Sequence, residues 1–333
     1  MKKRALICGI SGQDGAYLAR FLLDKGYEVF GTSRNVQSTN LDKLDRLGIR
    51  DRVSLTSATL TDFRSILRAL ADVRPGEVYN LSGQSSVGLS FDQPVETIES
   101  ITVSTINLIE AIRFLDDRIR FYNAGSSECF GDTGSVAANE HTLFQPRSPY
   151  GVAKSAAHWI VRNYREAYGV FACNGILFNH ESPLRPRQFV TQKIIDGACA
   201  IKAGTLDRLC LGNLDITRDW GWAPEYVDAM WRMLQTDVAD DYVIATGEAY
   251  SLSDFVAHAF ETVGLDWQDH VSVDPGTFRP LDISYNRGDA SKAASALGWR
   301  ATLTMPAIVE RMIAARLQLV QSGASQNEAS FVS

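Results

Sequence analysis

Positive charge is in deficit in this chain: 33 Lys and Arg stand against 39 Asp and Glu, a formal charge of −6. A broad nucleic-acid surface needs the opposite balance, so nucleic acid is not expected as a partner. A few Arg still suffice for a small anionic ligand. Cysteine is scarce and disordered in its spacing. Five occur, at 8, 129, 173, 199 and 210, with no C-x-x-C pair and no C-x-x-C…H spacing. That disfavours zinc and a disulfide framework, and leaves buried, reduced thiols as the expectation. No stretch approaches the roughly 18 apolar residues of a membrane span, so no membrane contact is expected. The Met-Lys-Lys-Arg start looks like a signal n-region, but only Ala5 to Ile10 follow before Ser11-Gly12-Gln13. That is too short for an h-region, and a cytoplasmic protein is expected. No internal repeat is visible.

What is present suits a globular enzyme-sized chain. Of 333 residues, 45% are apolar and 22% charged, enough to bury a core without staples in one large or two modest domains. The first half alternates between two periods. Arg4 to Gly9 is a short apolar run, as in a strand buried on both faces. Leu18, Phe21 and Leu22 then recur at helical spacing. Strands are expected again at Tyr27–Thr32, Glu77–Leu81, Ile119–Ala124 and Val170–Phe178. Helices are expected around Phe63–Leu70, Ile101–Phe114 and Tyr150–Tyr168. Strands separated by helices mean βαβ units and a parallel, doubly wound α/β sheet of the Rossmann kind.

After Asn179 the pattern loosens and prolines punctuate it, which predicts a smaller mixed α/β substrate domain. The sheet is expected to be rejoined near Tyr226 and at Tyr242–Ala245. We therefore expect a sheet domain over 1–178 and about 223–250, a substrate domain over 179–222 and 251–320, and a disordered tail over 321–333.

Three motifs carry chemistry. Gly9-Ile10-Ser11-Gly12-Gln13-Asp14-Gly15 follows the first strand and opens a helix. Glycines there let the backbone turn tightly and approach a pyrophosphate at the helix N-terminus. An acidic residue at the end of the second strand would take the ribose hydroxyl of NAD, whereas this chain has Thr32-Ser33-Arg34-Asn35. Arg34 suits a 2′-phosphate, so NADP is favoured. The second motif is Tyr150-Gly151-Val152-Ala153-Lys154. On a helix the two share a face, and the ammonium is expected to lower the phenol's pKa and make Tyr150 a general base. The third, Gly125-Ser126-Ser127-Glu128-Cys129-Phe130, lies at a predicted strand's C-terminal end, where open α/β sheets place their ligand crevice. Ser126 would hold a substrate oxygen. Glu128 would take a carbon-bound proton, which a simple alcohol dehydrogenase does not need. Cys129 reads as a packed thiol.

These residues resemble the extended short-chain dehydrogenase/reductases, and within them the GDP-mannose 4,6-dehydratases. The resemblance rests on GISGQDGAY (9–17), VYNLSGQSSV (78–87), PRSPYGVAK (146–154), YREAY (164–168), GILFNHESPL (175–184), FVTQKI (189–194), LGNL (211–214), RDWG (218–221), YVDAMW (226–231) and YVIATG (242–247). It implies catalytic roles for Ser126, Glu128, Tyr150 and Lys154. It implies a cofactor site of Gly9, Ser11, Gly12, Gln13, Asp14, Gly15, Arg34, Thr59, Leu60, Leu81, Tyr150, Lys154, His180 and Arg185. Substrate contacts would fall on Ser85, Asn179, Lys193, Arg218 and Arg279, with Asp282 near the guanosine ribose. The chain departs from the family pattern at Ser126 (usually Thr), Thr59-Leu60 (Asp-Leu), Arg34-Asn35 (Arg-Arg), Arg185-Pro186 (Arg-Gly) and Glu96 (Tyr).

The implied reaction is an internal redox cycle on a GDP-linked hexose: oxidation at C4, loss of water across C5 and C6, and reduction at C6. NADP would stay tightly bound and be recycled. A homodimer built on the Ile101–Phe114 and Tyr150–Tyr168 helices is implied, or a homotetramer. The rival readings are a GDP-4-keto-6-deoxy-sugar reductase or epimerase, and a non-catalytic dinucleotide-binding regulator. Gln84-Ser85, where related reductases tend to carry Lys-Ser, favours the dehydratase, and the Asn-His-Glu-Ser-Pro run also matches it.

Overall fold

A computed structural model describes residues 2–278 and 280–321. The expected tail, 321–333, lies essentially outside the described residues, as does the expected substrate contact Arg279.

The first half winds as β1 (Arg4–Cys8), α1 (Gln13–Asp24), β2 (Glu28–Ser33), α2 (Asp42–Arg46), β3 (Val53–Ser57), α3 (Phe63–Val73), β4 (Glu77–Asn80), α4 (Val87–Asp92), α5 (Pro94–Ile98), α6 (Ser104–Leu115) and β5 (Arg120–Ala124). It continues with α7 (Pro149–Tyr168), β6 (Ala172–Leu177), β7 (Asn179–Glu181), α8 (Val190–Lys202), β8 (Leu209–Leu211), β9 (Thr217–Arg218), β10 (Trp220–Trp222), α9 (Ala223–Met233) and β11 (Asp241–Ile244). The last elements are β12 (Tyr250–Ser251), α10 (Leu252–Thr262), β13 (Val271–Val273), β14 (Tyr285–Asn286), α11 (Ser291–Leu297) and α12 (Met305–Gln321).

Seven strands form one parallel sheet in the order β11-β6-β5-β4-β1-β2-β3. The order reverses at β1, so a crevice opens beyond the C-terminal ends of β1 and β4. The expected sheet positions hold with ends shifted by a residue or two. The strand expected at Val170–Phe178 shortens to β6. Tyr226 departs from expectation: it does not rejoin the sheet but lies fully buried on α9. Its ring stacks on His180 at 4.5 Å. The Tyr226–Trp231 run has the spacing of a buried helix face, and Pro224 sits at the first turn, where its missing N–H costs nothing.

Apolar side chains on the two faces of the sheet make separate cores. One joins α1 and α9 to the sheet through residues such as Leu18, Leu22, Met230 and Met233. The opposite face is covered by α3, α6 and α7, through Ile66, Leu108, Ile112 and Val161. A further core gathers α8, α10 and α12 around Ile195, Phe255, Phe260 and Ile308. Four cysteines are buried and unpaired as expected, but Cys210 is exposed. It alternates outward between buried Leu209 and Leu211 on short strand β8. Among the described residues, no helix is long and apolar enough to cross a membrane.

Candidate active site

The turn from β1 to α1 is built for close approach. Gly9 has φ +90°, and a Cβ there would sit 2.7 Å from the Leu81 carbonyl oxygen. A Cβ on Gly15 would meet the Ile10 Cα at 2.7 Å. Glycine at both positions lets the helix start directly against the strand. Gly12 caps α1 without a side-chain acceptor, so the first-turn N–H groups keep their pull on an anion. A cavity of about 640 Å³ opens over this turn, lined by Gly9, Ser11, Gly12, Gln13, Asp14, Gly15, Arg34, Leu60 and Leu81, among others. The glycine-turn backbone and exposed Arg34 in its lining suit the pyrophosphate and phosphoribose of a dinucleotide. Thr59 lines neither this cavity nor the next. Its N–H is taken by Ser65 Oγ at 2.9 Å.

A second cavity of about 460 Å³ adjoins the first. Leu81 to Gly83, Ser85 and Arg185 line both, so they form one continuous cleft. Ser126, Glu128, Tyr150 and Lys154 line it, together with Asn179, Lys193, Arg218 and Asp282. Ser126 and Glu128 arrive on the turn after β5, and Tyr150 and Lys154 on the first turns of α7. Ser148 caps that helix by accepting from the Gly151 N–H at 3.0 Å, and Pro149 occupies its first position. Ser126 Oγ accepts from the Glu128 N–H at 3.3 Å.

The electrostatics correct one expectation. Burial pushes the Tyr150 phenol up, and Glu128 and Cys129 add to this, against a hydrogen bond from Ser126 and the pull of Arg185. The Lys154 side chain is held by the backbone of β5. Its ammonium donates to the Ala124 carbonyl at 2.7 Å and lies 5.8 Å from the Tyr150 ring centre. Burial lowers Lys154 itself to about 8. Desolvation is the largest cause for both groups, in place of the mutual effect that i,i+4 spacing suggested. Cys129 is held by burial at about 11, consistent with an inert packed thiol.

His180 is buried between two acceptors. Its Nδ1 faces the Phe178 carbonyl at 2.7 Å and its Nε2 faces Asp14 Oδ2 at 2.8 Å. Neither acceptor carries a proton, so the ring satisfies both only as an imidazolium. Burial opposes the charge, but Asp14 outweighs it and raises His180 above its usual range. The Gln13 amide donates to the His180 carbonyl at 3.1 Å and accepts from Ser182 Oγ at 2.7 Å. Gln13 and Asp14 therefore tie the glycine turn to the Asn-His-Glu-Ser run, rather than facing only the cleft.

Arg185 lies over the Phe189 ring at 3.8 Å, with its Nε 3.2 Å from buried Glu181. Lys193 donates to the Cys210 carbonyl at 2.8 Å. Arg218, almost fully buried, donates to Thr217 O and to Asp282 Oδ1, the latter at 3.3 Å. Two residues, one bracing the glycine turn and one lining the cleft, escaped sequence reasoning. Lys43 on α2 donates to the Ser11 carbonyl at 3.2 Å, and Ser82 lines both cavities. Lys43 carries no local signal, because it lies 32 residues after the carbonyl it holds. Ser82 sits inside a recognisable segment, but nothing in the spacing marks its hydroxyl.

The family model for GDP-mannose 4,6 dehydratase matches residues 6–312. The chain is 45% identical over 330 residues to "GDP-mannose 4,6 dehydratase 1" of Arabidopsis thaliana, covering 96% of this chain and 91% of that one. It is 42% identical over 343 residues to the Homo sapiens "GDP-mannose 4,6 dehydratase", covering 96% and 92%. Among solved structures, DesIV, a dTDP-glucose 4,6-dehydratase from Streptomyces venezuelae, superposes with a TM-score of 0.85 at 18% identity, covering 95% and 97%. A UDP-glucose 4-epimerase from Thermotoga maritima gives 0.84 at 18%, covering 95% and 99%. At these identities the two structures speak for the fold.

Proposed function

Because the chain belongs to the GDP-mannose 4,6-dehydratase family, we propose that its cleft converts GDP-mannose to GDP-4-keto-6-deoxymannose and water as a nicotinamide-dependent hydro-lyase. The observation that carries this reading is the joint lining of one cleft by Ser126, Glu128, Tyr150 and Lys154, continuous with the glycine turn. A carboxylate beside the Ser-Tyr-Lys set gives the site a second base, which elimination requires and alcohol oxidation does not.

Gly9–Gly15 and Arg34 would hold the dinucleotide, with Leu60 and Leu81 against its apolar faces and Lys154 on the nicotinamide ribose. Arg34 at the end of β2 favours NADP over NAD. When bound, the nicotinamide would supply a hydride acceptor and then a hydride donor within one turnover. Of the chain's own groups, Ser126 and Arg185 act against the burial that keeps Tyr150 protonated. Tyr150 then takes the proton at the sugar O4, and Ser126 orients that oxygen. Once C4 is a ketone, C5–H is acidic. Glu128 takes that proton and delivers one to the departing C6 oxygen. The two protons removed, from O4 and C5, are the two the products need: one completes water, the other returns to C5. Lys193 and Arg218 would face the diphosphate, with Asn179 and Ser85 on the sugar and Asp282 at the ribose.

The exposed apolar side chains Ile106 on α6, and Val152 and Trp159 on α7, support a homodimer formed across these two helices.

The test is incubation with GDP-mannose and no added reductant. The expected outcome is a product lighter by one water, with an alkali-induced 4-keto chromophore. Inertness towards GDP-mannose, with NADPH oxidised on adding a 4-keto-6-deoxy sugar, would favour the reductase reading instead.

A further inference from the structure

One row of side chains crosses the sheet beneath the cleft. In the strand register, Asn80 of β4 stands opposite Asn123 of β5, Asn123 opposite Asn174 of β6, and Asn174 opposite Asp241 of β11. All four are buried, and they are hydrogen-bonded in series. Asn80 Nδ2 donates to Asn123 Oδ1 at 3.0 Å, Asn123 Nδ2 to Asn174 Oδ1 at 3.0 Å, and Asn174 Nδ2 to Asp241 Oδ1 at 2.9 Å. At the other end, Ser82 Oγ donates to Asn80 Oδ1 at 2.6 Å.

The direction of the series follows from its terminus. Asp241 takes a bidentate pair from Arg165, at 2.9 and 2.8 Å, and accepts from Asn174. Burial opposes its charge, but Arg165 outweighs this and keeps Asp241 below the usual carboxylate range. An ionised carboxylate only accepts. Asn174 must therefore turn its NH₂ to Asp241 and its carbonyl to Asn123. The same constraint passes to Asn123 and Asn80. The side branches agree: Asn174 also donates to the His158 carbonyl at 3.2 Å, and Asn80 donates to Thr105 Oγ1 at 3.1 Å. Reversing any amide would leave a buried donor facing a donor. The Ser82 proton is thus committed to Asn80, which leaves the hydroxyl only accepting capacity where Ser82 lines both cavities.

We infer that Ser82 is a ligand-binding residue acting only as an acceptor, and that Asn80, Asn123 and Asn174 are positioning residues that hold it so, for a hydroxyl of the bound dinucleotide's sugar. This rests on the dinucleotide reading of the cleft. A sugar hydroxyl fits because it carries a proton to give, and Ser82 lines the same cavity as the glycine turn.

The experiment is a titration of the full-length protein with NADP⁺, read by binding and not by turnover. Wild type, Ser82→Ala, Ser82→Thr, Asn123→Leu and the Ser82→Ala/Asn123→Leu double variant are compared. Ser82→Ala and Asn123→Leu should each weaken binding about fivefold to tenfold, Ser82→Thr should restore it, and the double variant should be no weaker than either single one. A purely structural role for Asn123 would lower thermal stability but leave its effect on Kd absent, or additive with that of Ser82→Ala; either result overturns the positioning claim. Unchanged affinity in Ser82→Ala overturns the binding claim. If Asn123→Leu does not fold, Asn123→Ala takes its place in the cycle. Wild-type protein that fails to bind NADP⁺ at all would refute the dinucleotide reading itself, a result distinct from these.

Discussion

The Asp14–His180 pair makes the sharpest physical prediction. Asp14 sits on the first turn of α1 and His180 on β7, so the contact joins the glycine turn to the Asn-His-Glu-Ser run. Both side chains are largely buried, at 21% and 11% exposure, and the bond is 2.8 Å. Burial opposes each charge, but the pair's attraction outweighs it in both: Asp14 is lowered and His180 raised. A charged hydrogen bond of this kind contributes about 2–3 kcal/mol. In a chain of this length Asp14→Asn should therefore lower Tm by about 3–4 °C near pH 6. The pH dependence follows from the direction of the His180 shift. A group raised on folding stabilises fully below its unfolded pKa of about 6.5, and that contribution is lost as pH rises through the higher folded value. Asp14 is ionised throughout this range. Above the folded pKa of His180 the ring is neutral, and its Nε2 lone pair faces the Asp14 carboxylate. The amide introduced by Asp14→Asn would then be the better partner. Calorimetry of wild type and Asp14→Asn from pH 6 to 9 should show the difference in Tm shrinking towards zero. A difference of constant size across that range would refute the imidazolium assignment.

Three further outcomes are expected. Glu128→Gln should cut formation of the dehydrated product by at least about a hundredfold, while NADP⁺ affinity in a binding titration stays within about twofold; unchanged turnover would remove Glu128 from its role. Arg34→Ala should weaken NADP⁺ binding roughly tenfold or more and leave NAD⁺ binding nearly unaltered, a comparison made by competitive titration of the two. Gly15→Ala drives a methyl group against the backbone of Gly9 and Ile10, which cannot move aside as a side chain would. It should destabilise the fold by about 3 kcal/mol or more in chemical denaturation, and an undisturbed midpoint would contradict the close approach.

The alternation of strand and helix, the glycine turn and the Tyr150–Lys154 pair were all legible from local pattern. Each depends on residues a few positions apart, where periodicity and backbone stereochemistry act directly. Tyr226 lies on a helix and not in a strand, and the buried positions Tyr226, Val227, Ala229, Met230 and Met233 recur at helical spacing. Its stacking on His180 and the packing of α9 on α1 belong to the tertiary structure alone. The charge states were less legible still. At i,i+4 the Lys154 ammonium is close enough to Tyr150 to suggest a lowered phenol, but burial of both groups, set by the surrounding elements, reverses the net effect.

The overall acidity of −6 was likewise a property of the sequence alone, as was the prospect that a few cations serve anionic ligands. Which cations line the cleft or brace its glycine turn was decided by tertiary structure. Arg34 is exposed above the glycine turn, Arg218 is buried against Asp282, and Lys43 reaches the turn from another helix. The amide row has the same origin. Asn80, Asn123 and Asn174 are ordinary residues in the sequence, separated by 43 and 51 positions. They become one hydrogen-bonded series only because parallel register places each opposite the next. Local sequence determines which elements form and where the backbone turns. Register and burial, which arise between elements distant in the chain, determine which polar groups meet and which of them are charged.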